Sequence, residues 1–310
     1  MSNALPPLAV IAGPTASGKS ALALALAERT GGVIINADSA QLYAGMPILT
    51  AAPTAEDMER APHRLYGVRD PADPASAADW AMLAKEEVRQ AHAVGKLPIL
   101  VGGTGLYIRS LIDGIAPVPS IDSQIRADVR AASVADNFAE LNSLDPVGAA
   151  RLNPGDSARV ARALEVFLST GCSLLDWQEQ RSGGIGHEVR LTPLVLLPPR
   201  VWLIERCERR FERMVEAGAI DEVRALTARR LDPSLPAMKA IGVVDLAEYL
   251  AGDISLDHAI AAAQVDTRQY AKRQYTWFAH QPPDSWPRYT TPLDAPGAID
   301  EALALLGVPA

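Results

Sequence analysis

The chain has 310 residues, just under half of them hydrophobic, and carries a formal net charge of -8. Its length predicts about two domains, and its composition is that of an ordinary globular protein. The acidic balance argues against indiscriminate coating of nucleic acid, although it is compatible with a local basic groove. Cys172 and Cys207 have no CxxC partner and no histidine cluster beside them, which predicts inert, buried thiols in a reducing compartment. Because the N-terminus lacks a secretory signal pattern and no apolar run reaches the ~20 residues of a membrane span, we expect a cytoplasmic protein without membrane contact.

The first part of the chain alternates strand-like apolar runs with helical patterns. Apolar runs lie at 8–12, 33–36 and 97–101, and helical patterns lie at 20–29, 77–93 and 106–112. This alternation predicts a parallel sheet, and such sheets bind ligands at the carboxyl ends of their strands. Glycine-rich or polar segments follow all three predicted strands, at 13–20, 38–39 and 102–105. We therefore expect these three segments to meet in one site.

The segment after the first predicted strand has the pattern GxxxxGK[ST], formed by Gly13, Pro14, Thr15, Ala16, Ser17, Gly18, Lys19 and Ser20. The glycines allow backbone N–H groups to converge on phosphate oxygens, and the helix that follows adds the positive end of its dipole. Lys19 supplies a mobile cation, and the Ser20 hydroxyl is placed to hold Mg2+. The acidic pair of motor ATPases and the NKxD motif of GTPases are both missing from the sequence. This favours a group-transfer enzyme in which Asp38 faces the substrate, with a turn or helix-cap aspartate as the alternative.

The character of the chain changes after Pro117-Val118-Pro119. Helical patterns follow at 122–132, 137–144 and 156–170, the last with Asp156 as N-cap and Gly171 as terminator. A strand pattern at 189–197 then returns, residues 200–280 are helical, and the last thirty residues are proline-rich and weakly helical. We predict an α/β fold, a P-loop NTPase-like parallel sheet flanked by helices, with an all-helical insertion domain. The predicted parts are a core of 1–116 and 189–280, an insertion of 117–188 and a C-terminal tail of 281–310.

The helix predicted from residue 200 carries arginines beside its apolar face. Leu203, Cys207, Phe211 and Met214 share that face, and Arg206 and Arg210 lie on its flank. Arginines at such a seam suit multidentate phosphate binding. The alternative is an exposed ladder of Glu–Arg pairs.

A second basic helix covers residues 264–278. Arg268 and Lys272 are four residues apart, and Arg273 and Trp277 lie beside them. A cationic stripe interleaved with aromatic rings suits a nucleic-acid backbone and its bases. A solvated cationic face is the commoner explanation of such a pattern.

Together these segments resemble the bacterial tRNA dimethylallyltransferases, which are also called tRNA isopentenyltransferases. Beyond the loop at 13–20, the matching pieces are Asp38-Ser39 with Gln41 and Tyr43, the segments 62–65, 101–107 and 162–166, and residues 267–277. Two places depart from the usual family pattern. Leu49-Thr50-Ala51-Ala52-Pro53 lacks the usual glycine and lysine, and Val243-Val244 replaces an aromatic and a basic residue.

The resemblance implies transfer of a dimethylallyl group from dimethylallyl diphosphate to the N6 amine of the adenosine just 3′ of the anticodon, with release of diphosphate. It implies that Asp38 is the catalytic base, that Thr104 holds the acceptor or assists the leaving oxygen, and that Lys19 contributes to catalysis. The diphosphate would bind to the loop 13–20, Arg206 and Arg210, with Mg2+ on Ser20.

The partner implied by the resemblance is the anticodon stem-loop of tRNA, gripped by the helical insertion and the basic C-terminal helix. The implied tRNA contacts are Asp38, Ser39, Ala40, Gln41, Thr104, Arg126, Ala158, Arg159, Val160, Ala161, Arg162, Lys239, Arg268, Lys272 and Arg273. We expect a monomer with no obligate protein partner. Two alternatives remain: a P-loop small-molecule kinase that uses ATP, and a tRNA-binding protein whose loop is vestigial.

Overall fold

A computed structural model of the protein describes residues 4–308, and the chain divides into two compact units. The smaller unit is Asp113–Gly184, and the larger one comprises the segments before and after it. No helix among residues 4–308 is long and apolar enough to cross a membrane.

The larger unit is built on a six-stranded sheet in which neighbouring strands are parallel. The strands are β1 (Pro7–Ala12), β2 (Val33–Asn36), β3 (His63–Arg64), β4 (Pro98–Gly102), β5 (Arg190–Leu196) and β6 (Arg288–Tyr289). Their order is β3-β2-β4-β1-β5-β6. The central strands are continuous apolar runs because helices cover both faces of the sheet. The predicted α/β fold with a parallel sheet is confirmed.

Helices occupy most of the remaining chain. They are α1 (Lys19–Thr30), α2 (Ala55–Arg60), α3 (Ala77–Ala93), α4 (Gly105–Asp113), α5 (Ser123–Ala131), α6 (Val134–Leu144), α7 (Pro146–Ala149), α8 (Ser157–Thr170), α9 (Leu174–Glu179), α10 (Arg200–Glu216), α11 (Ala219–Ala228), α12 (Val243–Ala251), α13 (Leu256–His280) and α14 (Ala298–Leu305). Local sequence sets several of their ends. Ser76 and Asp79 form a capping box at the start of α3, and Gly31 ends α1 in the left-handed conformation.

Two apolar cores hold the helices against the sheet. Trp80, Tyr107 and Phe278 belong to the core that joins α3, α4 and α13 to one face, whereas α1 and α14 belong to the core that includes Ile11 and Ile34. Trp80 also stacks on Tyr107 and donates its indole N–H to the Asn36 carbonyl at 2.8 Å. The carboxyl end of β2 is therefore anchored by a buried side chain.

The smaller unit is entirely helical in its regular structure and packs around its own core of Val129, Leu141, Val160 and Leu164. Asp156 caps α8 and Gly171 ends it, as the sequence predicts. Cys172, which follows directly, is exposed, so the predicted burial of this thiol is wrong. The unit begins and ends a few residues before the predicted bounds of 117–188. The reason is that Ile115 and Ser182 exchange two backbone hydrogen bonds, of 3.0 and 3.1 Å, which join the incoming and outgoing chain ahead of the prolines.

The C-terminal residues differ from the predicted separate tail of 281–310. β6 pairs with β5 at the edge of the sheet, and α14 packs against α1. Tyr289, Leu293 and Leu303 are buried in the same core as α1. This segment therefore belongs to the larger unit, because its scattered apolar residues complete one face of the sheet.

Candidate active site

The predicted phosphate loop connects β1 to α1. Gly13 packs so closely that a Cβ there would lie 2.6 Å from the Leu196 carbonyl oxygen. Gly18 has a φ of 92° and is the N-cap of α1, so the loop turns directly into the positive end of the helix. Ser17 Oγ is buried and has no hydrogen-bond partner among residues 4–308. The loop thus offers a hydroxyl donor together with the amino end of a helix, which is an arrangement suited to an anion.

Three cations from α1 and α10 contact this loop. Lys19 Nζ donates to the Pro14 carbonyl at 2.6 Å, and Arg206 Nε donates to the Ala16 carbonyl at 3.1 Å. Arg210 donates to the Thr15 hydroxyl. Burial lowers the pKa of Lys19 to about 8, against the opposing effect of the Asp38 carboxylate, and burial also lowers the pKa of Arg210. The three partly buried cations are therefore held close together at the loop, and Arg206 Nη1 also lies 3.4 Å from Asp294 Oδ2.

Helix α10 presents its arginines in the way that its periodicity predicts. Leu203, Cys207, Phe211 and Met214 are its buried residues, and Arg206 and Arg210 lie beside that face. Two more arginines of this helix, Arg209 and Arg213, line the same polar cavity as the loop although both are exposed. Arg209 reaches the cavity from an exposed position, which the periodicity of the helix does not predict, because periodicity shows the face of a side chain but not how far it extends.

The ends of β2 and β4 bring Asp38, Ser39 and Thr104 together. The Ser39 N–H donates to Thr104 Oγ1 at 3.0 Å, and the Asp38 carboxylate accepts the Ala40 N–H at 3.0 Å. A Cβ on Gly102 would lie 2.1 Å from the Ala37 backbone, so only a glycine permits this approach of the two strand ends. The three segments predicted to share a site do so.

Two adjoining cavities meet at this point. A polar cavity of about 440 Å³ is lined by the loop, by Gln41 and by the arginines of α10. A second cavity, of about 360 Å³, has a mixed wall whose apolar part includes Tyr43, Leu49, Phe211, Met214 and Ile241. Both cavities are lined by Thr15, Asp38, Thr50 and Arg210. A ligand with an anionic head and a short apolar tail matches this pair of cavities.

Two of the four remaining predicted cations of the larger unit line the second cavity. Lys239 and Arg273 line it, and Lys272 is exposed on α13. Arg268 Nη1 lies 2.6 Å from Glu208 Oε1 of α10, so its charge is already paired. The predicted cationic stripe on α13 is therefore reduced to Lys272 and Arg273.

In the smaller unit, Arg126, Ala158 and Arg159 are exposed, and Ala161 and Arg162 are partly exposed. Val160 is a correction to the predicted contact set. Its side chain is fully buried in the core of the unit, because α8 turns that position inward, and it cannot contact RNA.

Arg130 and its ion-pair partner Glu165 were not among the predicted residues. Glu165 is buried, and its Oε1 accepts from Arg130 Nε at 2.9 Å, while its Oε2 lies 3.9 Å from Arg162 Nη1. Burial lowers the pKa of Arg162, and the neighbouring charges of Arg126 and Arg130 lower it further. The spacing of three residues on one helix could have predicted the Arg162–Glu165 pair. It could not have predicted the contact with Arg130, which lies on another helix.

Ser20 is the residue expected to hold Mg2+. Ser20 is exposed in the first turn of α1 and lines the polar cavity. Among the residues that the structure describes, no group of three or more His, Cys, Asp or Glu side chains could hold a metal ion. Mg2+ usually binds through one or two protein groups, waters and substrate phosphates, and a hydroxyl beside a phosphate cradle fits that donor set.

Comparison with known proteins gives the same family from sequence and from structure. The IPP transferase family model matches residues 41–281. The chain belongs to the IPP transferase family. A tRNA dimethylallyltransferase from Sphingopyxis alaskensis is 58% identical over 287 residues, which cover 92% of this chain and 94% of that protein.

Two solved structures extend the likeness of this IPP transferase family member to three dimensions. The full-length tRNA isopentenylpyrophosphate transferase of Bacillus halodurans matches with a TM-score of 0.70 and 34% identity, and the match covers 97% of each chain. A eukaryotic dimethylallyltransferase acting on tRNA matches with a TM-score of 0.74 and 26% identity, covering 88% of this chain and 69% of that one.

The structure also accounts for a segment where this family member departs from the usual pattern. The Glu222 carboxylate accepts the N–H groups of Ile48 and Leu49 at 2.8 and 2.9 Å. From the other side, Gln41 Nε2 donates to the carbonyls of Thr50 and Ala51 at 2.9 and 2.8 Å. The turn that lines both cavities is therefore held through its backbone, and the side chain of Leu49, which stands at a departing position, is buried in the same core as Phe211.

Proposed function

We propose that this family member transfers a dimethylallyl group from dimethylallyl diphosphate to the N6 amine of the adenosine just 3′ of the anticodon in tRNA. One observation carries the proposal: Asp38 and Arg210 lie at the junction of a polar cavity with a second cavity whose wall is partly apolar. The two parts of the donor substrate match the two cavities, since a charged diphosphate head is joined to a five-carbon apolar chain. The bond that breaks would therefore lie beside both side chains.

The proposed donor site would stabilise the negative charge of the diphosphate leaving group. The head would lie against the loop, where Ser17 Oγ and the amino end of α1 donate hydrogen bonds. As the C–O bond breaks, negative charge grows on the diphosphate, and Lys19, Arg206 and Arg210 are close enough to stabilise it. Mg2+ at Ser20 would offset part of the same charge.

The acceptor side of the proposal relies on Asp38 and Thr104. The amine nitrogen forms the new C–N bond and loses one proton, which Asp38 accepts as general base. Thr104, whose hydroxyl lies within hydrogen-bonding range of Ser39 Oγ at 3.4 Å, would position the adenine. The base must leave its stack to reach this cavity. Exposed cations, among them Arg126, Arg159 and Lys272, would bind the phosphate backbone of the RNA in the cytoplasm.

One incubation tests this function. Unmodified tRNA, labelled dimethylallyl diphosphate, Mg2+ and protein should give label on the RNA and an equal amount of free diphosphate. A matched transcript in which guanosine replaces the adenosine next to the anticodon should take up no label. Absence of label on the normal transcript would contradict the proposal. Consumption of ATP with a small metabolite would favour a kinase instead, and RNA binding without any transfer would favour a binding protein.

A further inference from the structure

A buried glutamine joins helix α13 to two loops of the candidate active site. Gln274 is 5% exposed, and its Oε1 accepts the Thr15 N–H at 2.7 Å. Its Nε2 donates to the Gly103 carbonyl at 2.8 Å. Thr15 belongs to the phosphate loop and Gly103 follows β4, so a single side chain connects the two loops.

The partners determine how this amide is oriented. The Thr15 N–H can only donate and the Gly103 carbonyl can only accept, so the reversed amide would place donor against donor and acceptor against acceptor. The space is equally restricted, because a Cβ on Gly103 would lie 2.3 Å from Gln274 Nε2. The glutamine therefore has one position and one orientation.

Both partners lead directly to groups used in the proposed reaction. Thr15 accepts a hydrogen bond from Arg210 through its hydroxyl, so α10 and α13 hold the same loop residue from two sides. Gly103 immediately precedes Thr104. Tyr270, one turn earlier on α13, lines the second cavity beside Asp38 and Ser39. The contacts form a continuous network from the phosphate loop to the acceptor side.

We propose that Gln274 is a positioning residue that sets the spacing between the diphosphate cradle and Thr104. This inference rests on the proposed function for the identity of the ligand. Without the glutamine, the Thr15 N–H and the Gly103 carbonyl lose their partners in a buried environment, and both loops gain freedom. Diphosphate binding then weakens and transfer slows. Binding of tRNA through exposed cations does not depend on this contact.

Gln274→Leu tests the proposal, because it removes both hydrogen bonds and keeps a side chain of similar size. We expect inorganic diphosphate with Mg2+ to bind about 10- to 100-fold more weakly in isothermal titration calorimetry. The kcat for transfer should fall as well, whereas the Kd for tRNA in filter binding should not change. Gln269→Leu, at an exposed position of the same helix, is the matched control and should behave as the wild type in all three measurements.

Gly103→Ala provides a second perturbation that removes no polar group and instead displaces the amide. It should weaken diphosphate binding in the same way, and its effect should not add to that of Gln274→Leu, since both act on one contact. Normal diphosphate affinity in folded Gln274→Leu, or additive losses in the double variant, would overturn the proposal. If circular dichroism shows that Gln274→Leu does not fold, normal affinity in Gly103→Ala overturns it. Wild-type protein that binds no diphosphate would count against the proposed function itself.

Discussion

Binding of a diphosphate should be coupled to protonation of Lys19. Burial lowers the pKa of this lysine to about 8 in the free protein, and Asp38 only partly opposes the effect. A bound diphosphate adds negative charge beside the ammonium group, which favours its charged form and raises its pKa. Where free Lys19 is partly neutral, binding must therefore take up a proton, and affinity must fall as the pH rises above about 8.

The size of the effect follows from the pKa. With a pKa of about 8, roughly a tenth of Lys19 is neutral at pH 7, about half at pH 8 and about nine-tenths at pH 9. Proton uptake should follow these fractions, provided that the bound form stays fully charged. Above pH 8 the Kd for the diphosphate should rise towards tenfold per pH unit.

Calorimetry in two buffers of different ionisation enthalpy measures this uptake directly. Inorganic diphosphate is titrated with Mg2+ at pH 7, 8 and 9 into wild type and Lys19→Met. Protonation of the diphosphate itself is common to both proteins, so the difference between them isolates Lys19. Equal uptake at pH 7 and pH 9 in the wild type, or the same pH dependence in Lys19→Met, would refute the coupling.

Three further outcomes test other parts of the site. Asp38→Asn should lower kcat about 10²- to 10⁴-fold and leave the Kd for tRNA unchanged in filter binding; near-normal turnover would remove Asp38 as the base. Arg210→Gln should lower kcat/KM for the prenyl donor at least about 30-fold, because its partly buried guanidinium is fixed at the phosphate loop by Thr15. Arg209→Gln, at an exposed position, should cost only a few-fold, and equal losses would contradict this distinction. Gly102→Ala should lower Tm by about 5 °C or more in a thermal melt, because its Cβ would overlap the Ala37 backbone, and an unchanged Tm would show that the strand ends can separate.

The elements nearest to the phosphate loop could be predicted because their signals are local. The strand–loop–helix around Lys19 is fixed by apolar runs and glycines that are adjacent in the chain. The approach of Asp38 to Thr104 needed one general rule, that parallel strands end at the same edge of a sheet. Burial of one face of α10 followed from its periodicity, which also placed Arg210 beside that face.

The missed features depend on pairings between distant parts of the chain. Gln274 is 259 residues from Thr15, and no sequence period links the two. Strand β6 has only two residues, too few to show an alternation of apolar and polar side chains. It forms because its backbone pairs with the edge strand β5. The predicted tRNA contacts included the continuous segment 158–162. Val160 lies within it, between exposed or partly exposed residues, but the helix turns its side chain into the core.

The loop and its surroundings explain how a general phosphate cradle can serve a prenyl donor. The carbonyls of Pro14 and Ala16 and the hydroxyl of Thr15 already bind one cation each, so the charges are oriented before any ligand arrives. Preorganised charge stabilises a leaving group without further reorganisation during the reaction. A kinase could use the same cradle and could bind a hydroxyl substrate at polar groups such as Asp38, so the distinction lies in the apolar part of the cavity wall. Here the adjoining wall includes Phe211 and Met214, which suit a hydrocarbon chain and leave the head group to the cradle.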